Sequence, residues 1–124
     1  MEIPEKLHEV IKHEGVVAIV TQGNEGPHVV NTWNSYISVT EQGHLLIPAG
    51  GMKVTEANIA QNSRVLVTMG SREVQGFHSK GTGFLIKGTA NFSTSGAGFT
   101  LMKKKFPWCR AVLQVNPTTI EQTL

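Results

Sequence analysis

The sequence predicts a mostly-β fold, a small antiparallel barrel with short α additions. Three observations point there: β-branched runs recur at short intervals, turn-forming residues separate them, and helical spacing appears only in brief stretches. The 13 glycines among 124 residues suit a chain that reverses direction often and whose backbone approaches a ligand closely.

In chain order, Pro4 to Gly15 is predicted helical, because Leu7, Val10 and Ile11 share one face, Pro4 suits the first turn and Gly15 the stop. Val16 to Thr21 reads as a buried strand, and Gly23-Asn24-Glu25-Gly26 as a hairpin turn. A long strand is expected from His28 to Val39. Val29, Asn31, Trp33, Ser35, Ile37 and Val39 would share one side, with Val30, Thr32, Asn34, Tyr36 and Ser38 on the other. Neither side is cleanly apolar. Glu41-Gln42-Gly43 then turns the chain into a strand from His44 to Pro48, and a short helix capped by Thr55 runs through Asn62. Arg64 to Ser71 and Thr82 to Thr94 are two further strands, joined by a loop with Gly76 and Gly81. Phe99, Met102 and Phe106 mark an amphipathic helix ending in Lys103-Lys104-Lys105, where cations complement the helix dipole. Cys109 to Val115 is the last strand, with Pro117 opening the tail. No repeat or linker interrupts the pattern, so residues 1–124 read as one domain.

Composition narrows the function classes. Eleven Lys+Arg against nine Asp+Glu leave +2, too small an excess for a phosphate-driven nucleic-acid surface. The longest purely apolar run, Val16 to Val20, is far short of the roughly 20 residues of a membrane span. The N-terminus has no secretory pattern, and a cytoplasmic protein is expected. Cys109 is the only cysteine, so neither an internal disulfide nor a cysteine metal knuckle is expected. His8, His13, His28, His44 and His78 lack metal-ligand spacing, and no metal is expected. No Gly-x-Ser-x-Gly elbow occurs, and no residue is assigned a catalytic role.

Two clusters carry chemistry. Asn31-Thr32-Trp33-Asn34-Ser35-Tyr36 packs amides, hydroxyls and aromatic rings into six residues. Such a set suits a flat heteroaromatic ligand, its edges hydrogen-bonded and its faces stacked, and equally suits a polar solvent-facing strand. Gly50-Gly51-Met52-Lys53-Val54-Thr55 places flexible backbone, a cation and a hydroxyl at a helix start, where free N–H groups favour phosphate. Gly70-Ser71-Arg72 adds another hydroxyl and a guanidinium. An ordinary helix cap and a surface charge would explain these residues too. Together they describe a phosphorylated aromatic cofactor.

These residues resemble the FMN-binding members of the pyridoxamine 5'-phosphate oxidase-like split-barrel family over nearly the whole chain. The matching blocks are Glu14 to Ile19, Val30 to Tyr36, Gly50-Gly51-Met52, Thr55 to Asn58, Gly70-Ser71-Arg72, Gly81 to Ile86 and Glu121-Gln122-Thr123-Leu124. The resemblance implies a six-stranded antiparallel split β-barrel, a homodimer, and one non-covalent FMN per subunit near the dimer interface. It places Asn31, Thr32, Trp33 and Asn34 along the flavin and Tyr36 near its ring. Gly50, Gly51 and Thr55 fall on the phosphate side, Trp108 reaches across from the other subunit, and Glu14 tunes the potential. Where the family has a lysine two residues after the methionine, this chain has Val54, with Lys53 one position earlier.

The expected function is a small flavin electron-transfer protein serving an unidentified redox partner. The alternative is an FMN-dependent oxidoreductase, a reductase or a pyridoxamine-phosphate-oxidase-like enzyme, acting on a small substrate. A cofactor-free module binding nucleic acid through Lys103-Lys104-Lys105 and Trp108 is a third reading, disfavoured by the small net charge.

Overall fold

The computed structural model describes residues 1–124 as seven antiparallel strands in one sheet, with three short helices. Helix α1 (Glu5–Ile11) leads into β1 (Val16–Gly23) and β2 (Gly26–Trp33), and a 3₁₀ turn, Asn34–Tyr36, leads to the two-residue β3 (Ser38–Val39). Then come β4 (Leu45–Ala49), α2 (Lys53–Gln61), β5 (Arg64–Gln75), β6 (Lys80–Ser93), α3 (Ala97–Lys105) and β7 (Ala111–Gln122).

Strand order is β2-β1-β5-β6-β7-β4-β3. The two outermost strands, β2 and β3, are separated in the chain only by Asn34–Ile37, so the sheet must curl until its edges meet. No ladder joins them, which makes the structure a split barrel.

Alternation sets the inside. In β1, Val17, Ile19 and Thr21 are buried while Val16 and Gln22 are exposed; in β5, Val65, Val67 and Met69 point inward. Val17, Ile19, Val65, Val67 and Met69 join Leu7 and Val10 of α1, Ile59 of α2, Phe84 and Ile86 of β6, and Leu113 and Val115 of β7 in one core. A smaller cluster under α3 holds Leu46, Met102, Cys109 and Val112. Burying each large aliphatic side chain contributes about 1.5–3 kcal/mol.

Four expectations need correction. The strand expected from His28 to Val39 is broken by the 3₁₀ turn, which raises the count from six to seven; Asn34 leaves the ladder because its side chain bonds elsewhere. Helix α1 ends at Ile11, not Gly15, with Lys12 as its C-cap. Thr55 does not cap α2: the helix begins at Lys53, after Met52 takes a left-handed conformation at φ 61°, and Thr55 lies inside the first turn. Pro117 does not open a tail. It sits where the β6–β7 register shifts, a place that tolerates a missing N–H, and β7 continues to Gln122.

Candidate functional site

Two polar regions flank the seam of the barrel. The first is built on Asn34. Its side chain is fully buried, and Nδ2 lies 3.2 Å from Val10 O, 2.9 Å from His13 O and 2.8 Å from Gly70 O. Its backbone N–H donates to Gly15 O at 2.9 Å. One residue thus ties the end of α1 to β5. The approach is close enough that a methyl on Gly15 would run into Gly70 O and lie 2.7 Å from Asn34 Nδ2.

That junction sets Glu14 beside Gly70-Ser71-Arg72 on the walls of a groove of about 440 Å³, lined also by Val16, Glu73 and Leu124. Glu14 accepts from the Ser35 hydroxyl at 2.7 Å, the Ser35 N–H at 3.1 Å and the Gly15 N–H at 3.2 Å. The Ser35 hydroxyl, then its N–H, hold the Glu14 pKa below its ordinary 4.5; slight desolvation opposes them and the Gly15 N–H adds to them. Ser71 is buried, its Oγ accepting from Glu73 N–H at 3.1 Å, while Arg72 is exposed.

The second region is the start of α2. Gly50 and Gly51 are exposed, and a side chain at Gly50 would meet the Trp108 ring at 3.1 Å. Helix α2 has no side-chain cap, and the N–H groups of Lys53, Val54 and Thr55 are left free. The Thr55 side chain is fully buried and its Oγ1 has no hydrogen-bond partner. Arg110 lies alongside: its Nη2 donates to Gly51 O at 2.7 Å and pairs with Glu56 Oε1 at 3.0 Å, while Nε is buried and unpartnered. Unpartnered buried polar groups are uncommon, and two at one helix terminus mark a place suited to an anion. Lys53 and Val54 are both exposed, and Lys53 forms no ion pair.

Aromatic residues divide between the regions. Tyr36, Phe106 and Trp108 form a triangle with ring centroids 5.0–5.4 Å apart at tilted angles, and Trp108 is half exposed. Trp33, also half exposed, lies on the outer face of the sheet opposite Val16. Asn31 shares that face, its Nδ2 donating to Val17 O at 3.2 Å, whereas Thr32 points inward and is buried. Within one chain the structure brings together Gly50, Gly51, Lys53, Thr55, Tyr36 and Trp108, and separately Glu14, Asn34, Ser71 and Arg72. Asn31 and Trp33 stand on the open sheet face.

Sequence reasoning missed Arg110 and Ser35. Arg110 looks like an ordinary cation within the expected Cys109–Val115 strand, and only its approach to Gly51 and Glu56 marks it. Ser35 stood within the polar hexapeptide, but nothing local linked it to Glu14. No group of three or more His, Cys, Asp or Glu side chains converges on a metal-sized site, and no helix is long and apolar enough to cross a membrane.

Comparison with known proteins agrees with this architecture. The chain is 52% identical over 122 residues to the FMN-binding protein of Nitratidesulfovibrio vulgaris (strain Miyazaki F), covering 98% of this chain and 99% of that one. Among solved structures it is similar to the HupZ protein of Group A Streptococcus, at a TM-score of 0.80 and 18% identity, covering 98% of this chain and 94% of that one. It is also similar to an FAD-binding protein from Mycobacterium smegmatis, at a TM-score of 0.66 and 18% identity, covering 99% and 94%. The family model described as pyridoxamine 5'-phosphate oxidase matches residues 3–123. With a match across almost every residue and the split barrel in place, the chain belongs to the pyridoxamine 5'-phosphate oxidase family.

Proposed function

We propose that this protein is an FMN-binding flavoprotein that works as a homodimer and carries electrons to a redox partner. The observation that carries the reading is the start of α2, where free N–H groups, the buried unpartnered Thr55 hydroxyl and Arg110 meet beside exposed glycine backbone. That donor set fits a phosphate monoester. The name and 52% identity of the Nitratidesulfovibrio relative support FMN as its bearer.

In this reading Gly50, Gly51, Lys53 and Thr55 hold the phosphate. Asn31, Thr32, Trp33 and Tyr36 orient and screen the ring, and Trp108 of a second copy completes the enclosure. Asn34 frames the strand end from its buried position, while Ser71 and Arg72 face Glu14 across the groove. FMN supplies the redox chemistry; the chain supplies binding, orientation and local charge. The Glu14 carboxylate, kept ionised by Ser35, disfavours added negative charge nearby and lowers the reduction potential.

The dimer is supported by the outer sheet face. Val29, Val20 and Leu66 lie in register across β2, β1 and β5, and Trp33 faces Val16 at the end of the same sheet; Val29, Leu66, Trp33 and Val16 are all substantially exposed. A contiguous apolar face of this kind suits a second copy. A cytoplasmic location belongs to the same reading, consistent with the lone buried thiol of Cys109.

An oxidoreductase is the second reading, favoured by the groove between Glu14 and Arg72, which has room for a small substrate. The test is a visible absorption spectrum of the purified protein, then denaturation and identification of the released chromophore. Two flavin bands and free FMN are expected. A colourless protein that added FMN does not restore would overturn the flavin reading. Sustained turnover of a vitamin B6 phosphate would replace the carrier by an enzyme.

A further inference from the structure

We propose that Arg110 is the positioning residue that makes the start of α2 selective for a phosphorylated flavin, acting through Gly51 and Glu56; this rests on the FMN reading above.

The sequence places two negative charges in competition for one helix end. Glu56 lies in the first turn of α2, where a carboxylate is attracted to the same positive helix end that would bind phosphate. A free Glu56 would compete with an incoming dianion and repel it. Arg110 removes the conflict by pairing with Glu56 Oε1 at 3.0 Å.

The same guanidinium group donates to Gly51 O at 2.7 Å. Because a trans peptide is planar with its C=O and N–H opposed, pinning that carbonyl towards Arg110 turns the Met52 N–H the other way. That N–H then joins the free donors of Lys53, Val54 and Thr55. Gly51, which has no Cβ and no neighbour where one would lie, leaves the backbone open there. Arg110 is itself fixed, since its backbone N–H donates to Ala49 O at 2.8 Å and ties the head of β7 to the end of β4. Lys53 has no comparable anchor, so selectivity is assigned to the residue held in place.

The test measures dissociation constants of FMN and riboflavin, which differ by the phosphate, by fluorescence titration of the apoprotein. The variants are Arg110→Gln, Arg110→Lys, Glu56→Gln and the Arg110→Gln/Glu56→Gln double. Wild type is expected to prefer FMN. Arg110→Gln should weaken FMN by at least about tenfold and riboflavin by no more than about threefold, since only the phosphate feels the exposed Glu56 and the freed Gly51 peptide. Arg110→Lys should keep part of the preference. In the double variant, removal of the unmasked charge should restore a substantial part of the lost FMN affinity.

Equal loss for both flavins, or a double variant no better than Arg110→Gln, would assign Arg110 a merely structural role and overturn the proposal. Unchanged FMN binding in Arg110→Gln would overturn it too, while leaving the flavin reading intact. A wild type that binds neither flavin overturns that reading, and this inference with it.

Discussion

The Asn34 junction and the start of α2 lie at two polar regions of one small barrel, and they use their polar groups in opposite ways. At Asn34 the amide nitrogen meets three carbonyls and the backbone N–H a fourth, all from α1, the α1–β1 link or β5, and only the side-chain Oδ1 is left without a partner. At α2 the first N–H groups, the Thr55 hydroxyl and Arg110 Nε have no partner, although Thr55 and Nε are buried. Polar groups that answer one another make a framework; polar groups left unanswered make a site. Both segments carried polar residues in the sequence, and on the flavoprotein reading the α2 start is the one that takes the cofactor.

The largest way to break the contrast is at the framework. Asn34→Ala takes the side-chain donor from His13 O and Gly70 O and one of two donors from Val10 O, which keeps the His13 N–H, and should destabilise the fold by about 3 kcal/mol in urea unfolding. Gly15→Ala should act comparably through the collision with Gly70 O and Asn34 Nδ2. A variant of either kind with wild-type stability would show that the junction is not structural.

At the site the order of effects reverses. Thr55→Val removes a hydroxyl that bonds to nothing, so unfolding stability should change by less than about 0.5 kcal/mol or rise slightly, since no protein hydrogen bond is lost. FMN affinity, read by fluorescence titration, should fall about tenfold from the loss of one phosphate donor. Stability lost with affinity untouched would make Thr55 a framework residue after all. A smaller gain is expected from Val54→Lys, which adds a cation beside the free N–H groups of an exposed helix start. FMN binding should tighten by about two- to fivefold at low salt and less at high salt.

The smallest effect concerns Glu14. Its folded-state pKa is depressed, so its bonds to Ser35 add stability above the unfolded carboxylate range, and that stability is lost as pH falls through the folded value. Ser35→Ala should move the Glu14 titration, followed by carboxyl NMR, up towards 4.5. No movement would mean that the Ser35 hydroxyl does not hold the carboxylate.

The framework was the harder region to read from the sequence. Alternation made β1, β5 and β6 legible because a single buried face dictates the pattern, and Val17, Ile19, Val65 and Val67 obey it. The break at Asn34 was not legible. Its cause is three carbonyls 21, 24 and 36 residues away, and no local propensity encodes them. Thr55 was placed at the right helix in the wrong role, since Met52 adopts a left-handed conformation more usual for glycine and starts α2 earlier. The polar and glycine residues of the site were visible as a composition. Arg110 was not, because its meaning lies in contacts with Gly51 and Glu56, more than 50 residues away in the chain.

The order of the strands has a consequence for how the chain acquires its shape. Strand β4 pairs with β7 across more than 60 residues, and β3 is attached only through β4. The hairpins β1–β2, β5–β6 and β6–β7 join segments that are closer in the chain, so a kinetic order with β4 docking late follows from loop-closure entropy. The Gly50-Gly51-Met52 segment leaves directly from the end of β4. On the flavoprotein reading, cofactor uptake then waits for the last strand to seat, and the colour of the protein is a clock for the end of folding.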